Sequence, residues 1–300
     1  MPKGLHSQYY DPEKLSRIDN LQLLARTVVE GYISGLHRSP FKGSSVEFAE
    51  YREYMPGDDL KDLDWKVYAR TNKMYVKEYE EETNMTLRIL VDSSGSMSYA
   101  GDGISKGDYA FYLAAALTYL GIQQRDQVSL ATFGSELHNI VPPGGGPAHL
   151  KHILDTLEAT PLEGPTEVAE PLHSMARMSS RRGLVVVISD LLDNQDEILN
   201  ALDHFRHDRN EVLVFNVFDP AEIDFPFSGL VQFEDLETGE ELQTRTDAIA
   251  DEYRREIQEF ITYYREQCLK RNIDFKLART STPFEVMLAS YLERREKFRQ

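Results

Sequence analysis

Downstream of Asn84, short apolar runs rich in β-forming residues alternate with longer segments whose apolar positions recur at helical spacing. The runs are Leu87 to Val91, Val128 to Phe133, Leu184 to Ile188 and Val212 to Phe218, joined less continuously by Phe275 to Ala278. Such runs mark strands covered on both faces, and their alternation with helices marks a parallel sheet. The helix-length segments are Lys106 to Gln123, Ala148 to Glu158, Val168 to Met178, Glu197 to His207 and Thr246 to Arg271. Pro220 to Arg245 breaks the alternation with Pro226, an acidic stretch and Thr238-Gly239, which predicts an inserted β-hairpin. A last helix is expected from Pro283 to about Phe298. The fold class is α/β, a doubly wound, mostly parallel sheet of Rossmann type.

Ahead of this pattern, Asp11-Pro12 supplies an N-cap and a first-turn proline. Leu15, Ile18, Leu21, Val28, Ile33 and Leu36 follow it at roughly helical spacing. Val46 to Tyr54 and Tyr75 to Tyr79 are strand-like, with turn chemistry between them at Pro56-Gly57-Asp58-Asp59. The expected division is residues 1–83 as a small N-terminal extension and 84–300 as the α/β domain, with its inserted hairpin near 220–245.

Charge and composition narrow the function classes. A formal net charge of −17 opposes binding to a phosphate backbone, so nucleic acid is not an expected partner. The local basic set Lys61, Lys66, Arg70 and Lys73 is read as a solvated face with local ion pairs. The longest apolar runs fall far short of the roughly 20 residues of a spanning helix, and Met1 to Tyr10 has no signal-peptide pattern. With Cys268 as its single cysteine the chain forms no internal disulfide, and a cytoplasmic location is expected.

The chemistry gathers at strand ends. Leu87 to Val91 runs straight into Asp92-Ser93-Ser94-Gly95-Ser96, placing an acid and two alternate hydroxyls at the edge where open parallel sheets bind ligands. Gly164-Pro165-Thr166 puts a third hydroxyl on a loop before a helix, and Val185 to Ile188 ends in Ser189-Asp190. Asp92, Ser94, Ser96, Thr166 and Asp190 together offer the hard oxygens that Mg²⁺ prefers, leaving a coordination position for an outside carboxylate. Taken singly, the same residues serve as helix caps and turn formers.

Asp92-x-Ser94-x-Ser96, Thr166 and Asp190 resemble the metal-ion-dependent adhesion site of von Willebrand factor A domains, over roughly Thr86 to Ala278. The resemblance implies Mg²⁺ or Mn²⁺ held directly by Ser94, Ser96 and Thr166, with Asp92 and Asp190 acting through water. Glu47, Arg52, Pro56-Gly57-Asp58-Asp59, Asp64-Trp65, Ala69-Arg70 and Val76-Lys77 resemble the signature of the domain of unknown function 58 family. Members of that bacterial and archaeal family are often encoded beside MoxR-type AAA+ ATPases. The resemblance therefore implies such an ATPase as partner and an adaptor or chaperone-like role. Many members carry N-terminal membrane spans, and none is read in this sequence.

Weaker signals have simpler readings. Asp58, Asp59 and Asp64 suit a turn, and Trp65 with Tyr68 suits packing. His149-x-x-His152 and His204-x-x-His207 lack a third ligand and read as helix surface. Pro142 to Pro147 lacks the Gly-Lys-Ser/Thr ending of a phosphate loop and reads as a loop. The leading function is a metal-dependent protein-binding module rather than an enzyme. The alternatives are a metal-dependent hydrolase, such as a phosphatase with Asp92 as nucleophile, and a structural scaffold. A phosphatase of that kind usually has an acid two residues after its nucleophile, where Ser94 stands here.

Overall fold

The computed structural model describes residues 12–15, 20–36, 51–53, 68, 70, 74–77, 85–179 and 182–299. Asp11, Ile18, Glu47, Pro56-Gly57-Asp58-Asp59, Lys61, Asp64-Trp65, Lys66, Ala69 and Lys73 lie outside the described residues. The chain forms two compact units, one of Met1–Ser34 with Met85–Gln300 and the other of Gly35–Asn84. In the smaller unit β1 (Tyr51–Glu53) pairs antiparallel with β2 (Tyr75–Lys77), with Arg52 opposite Val76.

The larger unit begins with helices α1 (Pro12–Leu15) and α2 (Leu21–Leu36). Asn20 caps α2 by accepting the Leu23 amide at 2.8 Å. Its strands are β3 (Thr86–Asp92), β4 (Gln127–Phe133), β5 (Leu137–Gly144), β6 (Gly183–Ser189), β7 (Glu211–Phe218) and β10 (Asp274–Arg279). They form one six-stranded sheet in the order β10-β7-β6-β3-β4-β5, and every neighbouring pair is parallel except β4 and β5. The connecting helices are α3 (Lys106–Gln123), α4 (Pro147–Ala159), α5 (Ala169–Met178), α6 (Gln195–His207), α7 (Pro220–Asp224) and α8 (Thr246–Lys270). Helix α9 (Phe284–Arg299) closes the chain. The inserted hairpin is β8 (Leu230–Glu234) with β9 (Glu241–Arg245), paired antiparallel.

Strand alternation sorts the core into two layers. Leu87, Ile89 and Val91 of β3, with Leu184, Val186 and Ile188 of β6, pack with apolar positions of α2, α3, α4 and α9 on one face. Leu90, Val185 and Val187 point the other way, against α5, α6 and α8. Burial on both faces is why these strands lack polar alternation. The doubly wound α/β architecture expected from the pattern is present, with strand ends within one residue of those predicted.

Strand β5 differs from the expected loop. It is an edge strand, mostly exposed, irregularly paired to β4, and it carries Pro142 and Pro143. Proline is tolerated there because an edge strand leaves one row of amides without a ladder partner. Among the described residues no helix is long and apolar enough to cross a membrane.

A buried ion pair ties the last helix to the sheet. The Arg295 guanidinium donates two bonds of 2.9 Å to the Asp126 carboxylate just before β4, and both side chains are almost fully buried. Removing one partner strands the other charge away from water, which costs about 3–5 kcal/mol. Asp126→Ala should therefore lose about that much stability in urea denaturation, and an unshifted midpoint would show that the pair does not anchor α9.

Candidate functional site

The chain leaves β3 first toward β4 and later crosses to β6 on the opposite side, so the order of winding reverses at the C-terminal end of β3. A crevice at such a reversal is where open α/β sheets place ligands. Register then sets the neighbours. Val91 lies opposite Ile188, so β3 ends on Asp92 beside the end of β6, which finishes in Ser189 and runs on into Asp190.

Asp92 and Asp190 have no exposed surface. Asp92 Oδ1 accepts bonds from the Ser94 amide at 3.0 Å and the Ser94 hydroxyl at 2.6 Å, while Oδ2 accepts the Ser189 hydroxyl at 2.6 Å. The Ser96 hydroxyl donates to Asp190 Oδ2 at 2.9 Å, and the Leu192 amide donates to Asp190 Oδ1 at 3.2 Å. Ser94 and Ser96 approach each other at 3.2 Å between their Oγ atoms. A hydroxyl has one proton to give. With both carboxylates ionised those protons go to Asp92 and Asp190; with Asp92 protonated the Ser94 hydroxyl is released to donate to Ser96, and either serine can be the donor of their contact. Burial first, and repulsion from Asp190 second, raise the Asp92 carboxyl to about 7 against the opposing hydrogen bonds of Ser189 and Ser94.

Four of the five predicted residues thus form one continuous chain of polar contacts. Thr166 arrives separately. Its loop is stitched to the Asp92-to-Ser96 loop by bonds from the Gly95 amide to Gly164 O at 2.9 Å and from the Glu163 amide to Ser93 O at 3.1 Å. Its hydroxyl, however, is bonded to the Glu237 carboxylate, which also accepts the Thr166 amide at 3.0 Å. Glu237 lies at the tip of the β8–β9 hairpin.

The sequence reading missed Lys106, Ser189, Glu222 and Glu237. Ser189 was legible in principle, because a parallel partner of β3 must set its last residue beside Asp92. Lys106 opens α3 and looks like a surface lysine, yet it is almost wholly buried, with Nζ at 2.8 Å from Asp190 Oδ2 and 2.8 Å from Glu222 Oε1. Burial alone would lower its pKa, but Asp190 and Glu222 outweigh burial and raise it, so the ammonium stays charged. Glu222 is held by the capping box of α7, accepting the Asp219 amide at 2.8 Å.

Among the described residues no three His, Cys, Asp or Glu side chains gather as a metal cluster. His149 bonds Val128 O at 2.7 Å, and His204 faces His173 with Nδ1 atoms 3.4 Å apart. The groups that could hold a cation are two carboxylates and the serine and threonine hydroxyls. As a nucleophile Asp92 is poorly placed, since both its oxygens are engaged and neither is exposed.

Sheet order, the antiparallel edge strand and the flanking helices define a doubly wound α/β protein with its polar residues gathered at the switch-point edge. The family described as "Protein of unknown function DUF58" matches residues 50–266, and the chain belongs to it. Protein Rv1480 of Mycobacterium tuberculosis is 29% identical over 261 residues, which cover 85% of this chain and 81% of that protein. The crystal structure of BatB from Bacteroides thetaiotaomicron superposes with a TM-score of 0.50 at 16% identity, covering 72% of this chain and 100% of that one. A von Willebrand factor type A structure from Catenulispora acidiphila aligns at a TM-score of 0.35 and 13% identity, over 45% of this chain and 34% of its own.

Lys106 neutralises the buried Asp190 and the partly exposed Glu222, both from other parts of the chain, so its loss leaves both without their cation. Lys106→Ala should destabilise the protein by about 3–5 kcal/mol in chemical denaturation. Wild-type stability in that variant would mean that Asp190 and Glu222 do not depend on the ammonium.

Proposed function

We propose that the chain is a protein-binding module whose contact with its partner depends on a divalent cation held by Asp92, Ser94, Ser96, Thr166 and Asp190. Mg²⁺ is the expected ion, with Mn²⁺ as a substitute. The observation that carries this reading is the convergence of two serine oxygens, 3.2 Å apart, between the buried Asp92 and Asp190 carboxylates. Hard oxygens gathered between two buried carboxylates suit a small hard cation. The spacing agrees: Mg²⁺ binds oxygens at about 2.0–2.1 Å in an octahedron, whose adjacent ligands therefore lie about 2.9 Å apart. The two serine oxygens, the direct ligands among these groups, stand 3.2 Å apart.

When bound, the ion supplies a Lewis-acidic position able to accept a carboxylate from outside. The chain's own residues do the rest. Asp92, pinned by Ser94 and Ser189, sets the orientation of the Ser94 hydroxyl. Lys106 holds Asp190 in place against Ser96. The partner offers an acidic side chain, and its class, a MoxR-type AAA+ ATPase, rests on the family resemblance. The role that follows is that of an adaptor or chaperone-like companion to the ATPase. The hydrolase alternative gains no support from Asp92, whose oxygens are enclosed.

The test is binding of the purified chain to a purified MoxR-type ATPase from the same genome, in Mg²⁺ and in chelator, alongside calorimetric titration with Mg²⁺ alone. Ser96→Ala should fold normally and lose roughly 10- to 100-fold in Mg²⁺ affinity, and ATPase binding with it. Identical ATPase affinity for wild type and variant, with and without chelator, would overturn the metal-dependent reading.

A further inference from the structure

The hairpin tip is built to hold one side chain over the site. Asp235 Oδ1 accepts the Glu237 amide at 2.8 Å and the Thr238 amide at 3.0 Å, closing a tight turn in which Gly239 takes φ of 72°. A further bond of 2.8 Å from the Gly239 amide to Asp235 O fixes the turn. From this turn Glu237 reaches back to Thr166, giving one carboxylate oxygen to the amide and the other to the hydroxyl.

The same tip lies directly on the loop that carries Asp92 to Ser96. A Cβ added at Gly95 would fall 2.8 Å from Leu236 O and 3.3 Å from Glu237 Cγ, so glycine is what lets the hairpin approach this closely. A carboxylate has thus been brought against a site that already contains two buried acids, in a protein of net charge −17. General electrostatics opposes that placement, and the specific bonds to Thr166 compensate for it.

The hairpin's own body offers little to keep it there. Both strands are mostly exposed, with Leu230 at 66% and Leu242 at 63% of full exposure. Its aromatic contacts come from Phe233, two residues before the turn, whose ring meets Phe225 and Phe227 and holds the strands down to that point. Beyond Phe233 the turn is exposed apart from Glu237, and such a segment opens at low cost, so the tip can leave if a competitor takes Thr166.

We propose that Glu237 is a tethered acidic ligand. Its carboxylate fills in cis a subsite formed by the Thr166 amide and hydroxyl, and the acidic side chain of a partner takes that subsite in trans as the turn beyond Phe233 lifts. This rests on the protein-binding reading above and adds the residue that sets its apparent affinity. A competitor on a tether acts at high effective concentration and lowers the apparent affinity of a free ligand by the fraction of time the subsite is open.

Sodium acetate serves as the probe, titrated into the ¹⁵N-labelled full chain with Mg²⁺ while the Thr166 and Gly95 amide resonances are followed. Glu237→Ala should bind acetate roughly tenfold or more tightly than wild type. Glu240→Gln, which removes a neighbouring exposed acid from the same tip, should titrate as wild type and so excludes a general charge effect. An equal or absent response in wild type and Glu237→Ala overturns the tethered ligand. Repeating the Glu237→Ala titration in chelator separates the two readings: binding that survives removes the cation from the site and leaves Glu237 as competitor, whereas binding that disappears supports both.

Discussion

Parallel strands deliver their C-terminal ends to one edge, and at that edge β3 and β6 each lead into an aspartate with no contact with water. An ionised carboxylate out of water costs several kcal/mol unless its oxygens are satisfied. The surrounding architecture answers that cost piece by piece. Ser94 and Ser189 serve Asp92; Ser96, the Leu192 amide and Lys106 serve Asp190. Lys106 is in turn shared with Glu222, whose position is set by the capping box that starts α7. Three connections of the sheet are therefore tied to one small group of charges, and the loops above the strands owe their order to it.

How much of this was legible in the sequence follows from where each signal resides. The central strands were readable because burial on both faces leaves runs such as Leu184 to Ile188 with almost no polar residue, a property of the segment itself. Strand β5 was not, since an edge strand bearing Pro142 and Pro143 has the composition of a loop and gains its pairing only from β4. The site divides the same way. Asp92, Ser94, Ser96 and Asp190 follow directly from apolar runs, so a local reading places them together.

Lys106 and Glu237 carry no local mark. The burial of Lys106 depends on acids 84 and 116 residues further along the chain, and Glu237 meets Thr166 across 71 residues. A lysine in the first turn of a helix and a glutamate at a hairpin tip are both ordinary surface residues until the tertiary fold supplies their partners. The spacing of hydroxyls and acids could thus suggest a cation site, but not the ammonium and the carboxylate that flank it.

The hairpin leaves and rejoins the larger unit at nearly one point, where the Thr246 amide and hydroxyl bond to Gly229 O at 3.0 and 3.1 Å. A segment closed at its base transmits little to the elements on either side, and lengthening such a segment costs only slowly growing entropy. Phe233 is the exception within the arm, because its ring stacks on Phe225, which in turn meets Tyr253 of α8. That makes the turn beyond Phe233 a graft position: exchanging it rewrites what the strand-end edge presents to the outside, while the strands and helices that fold the protein keep their own contacts.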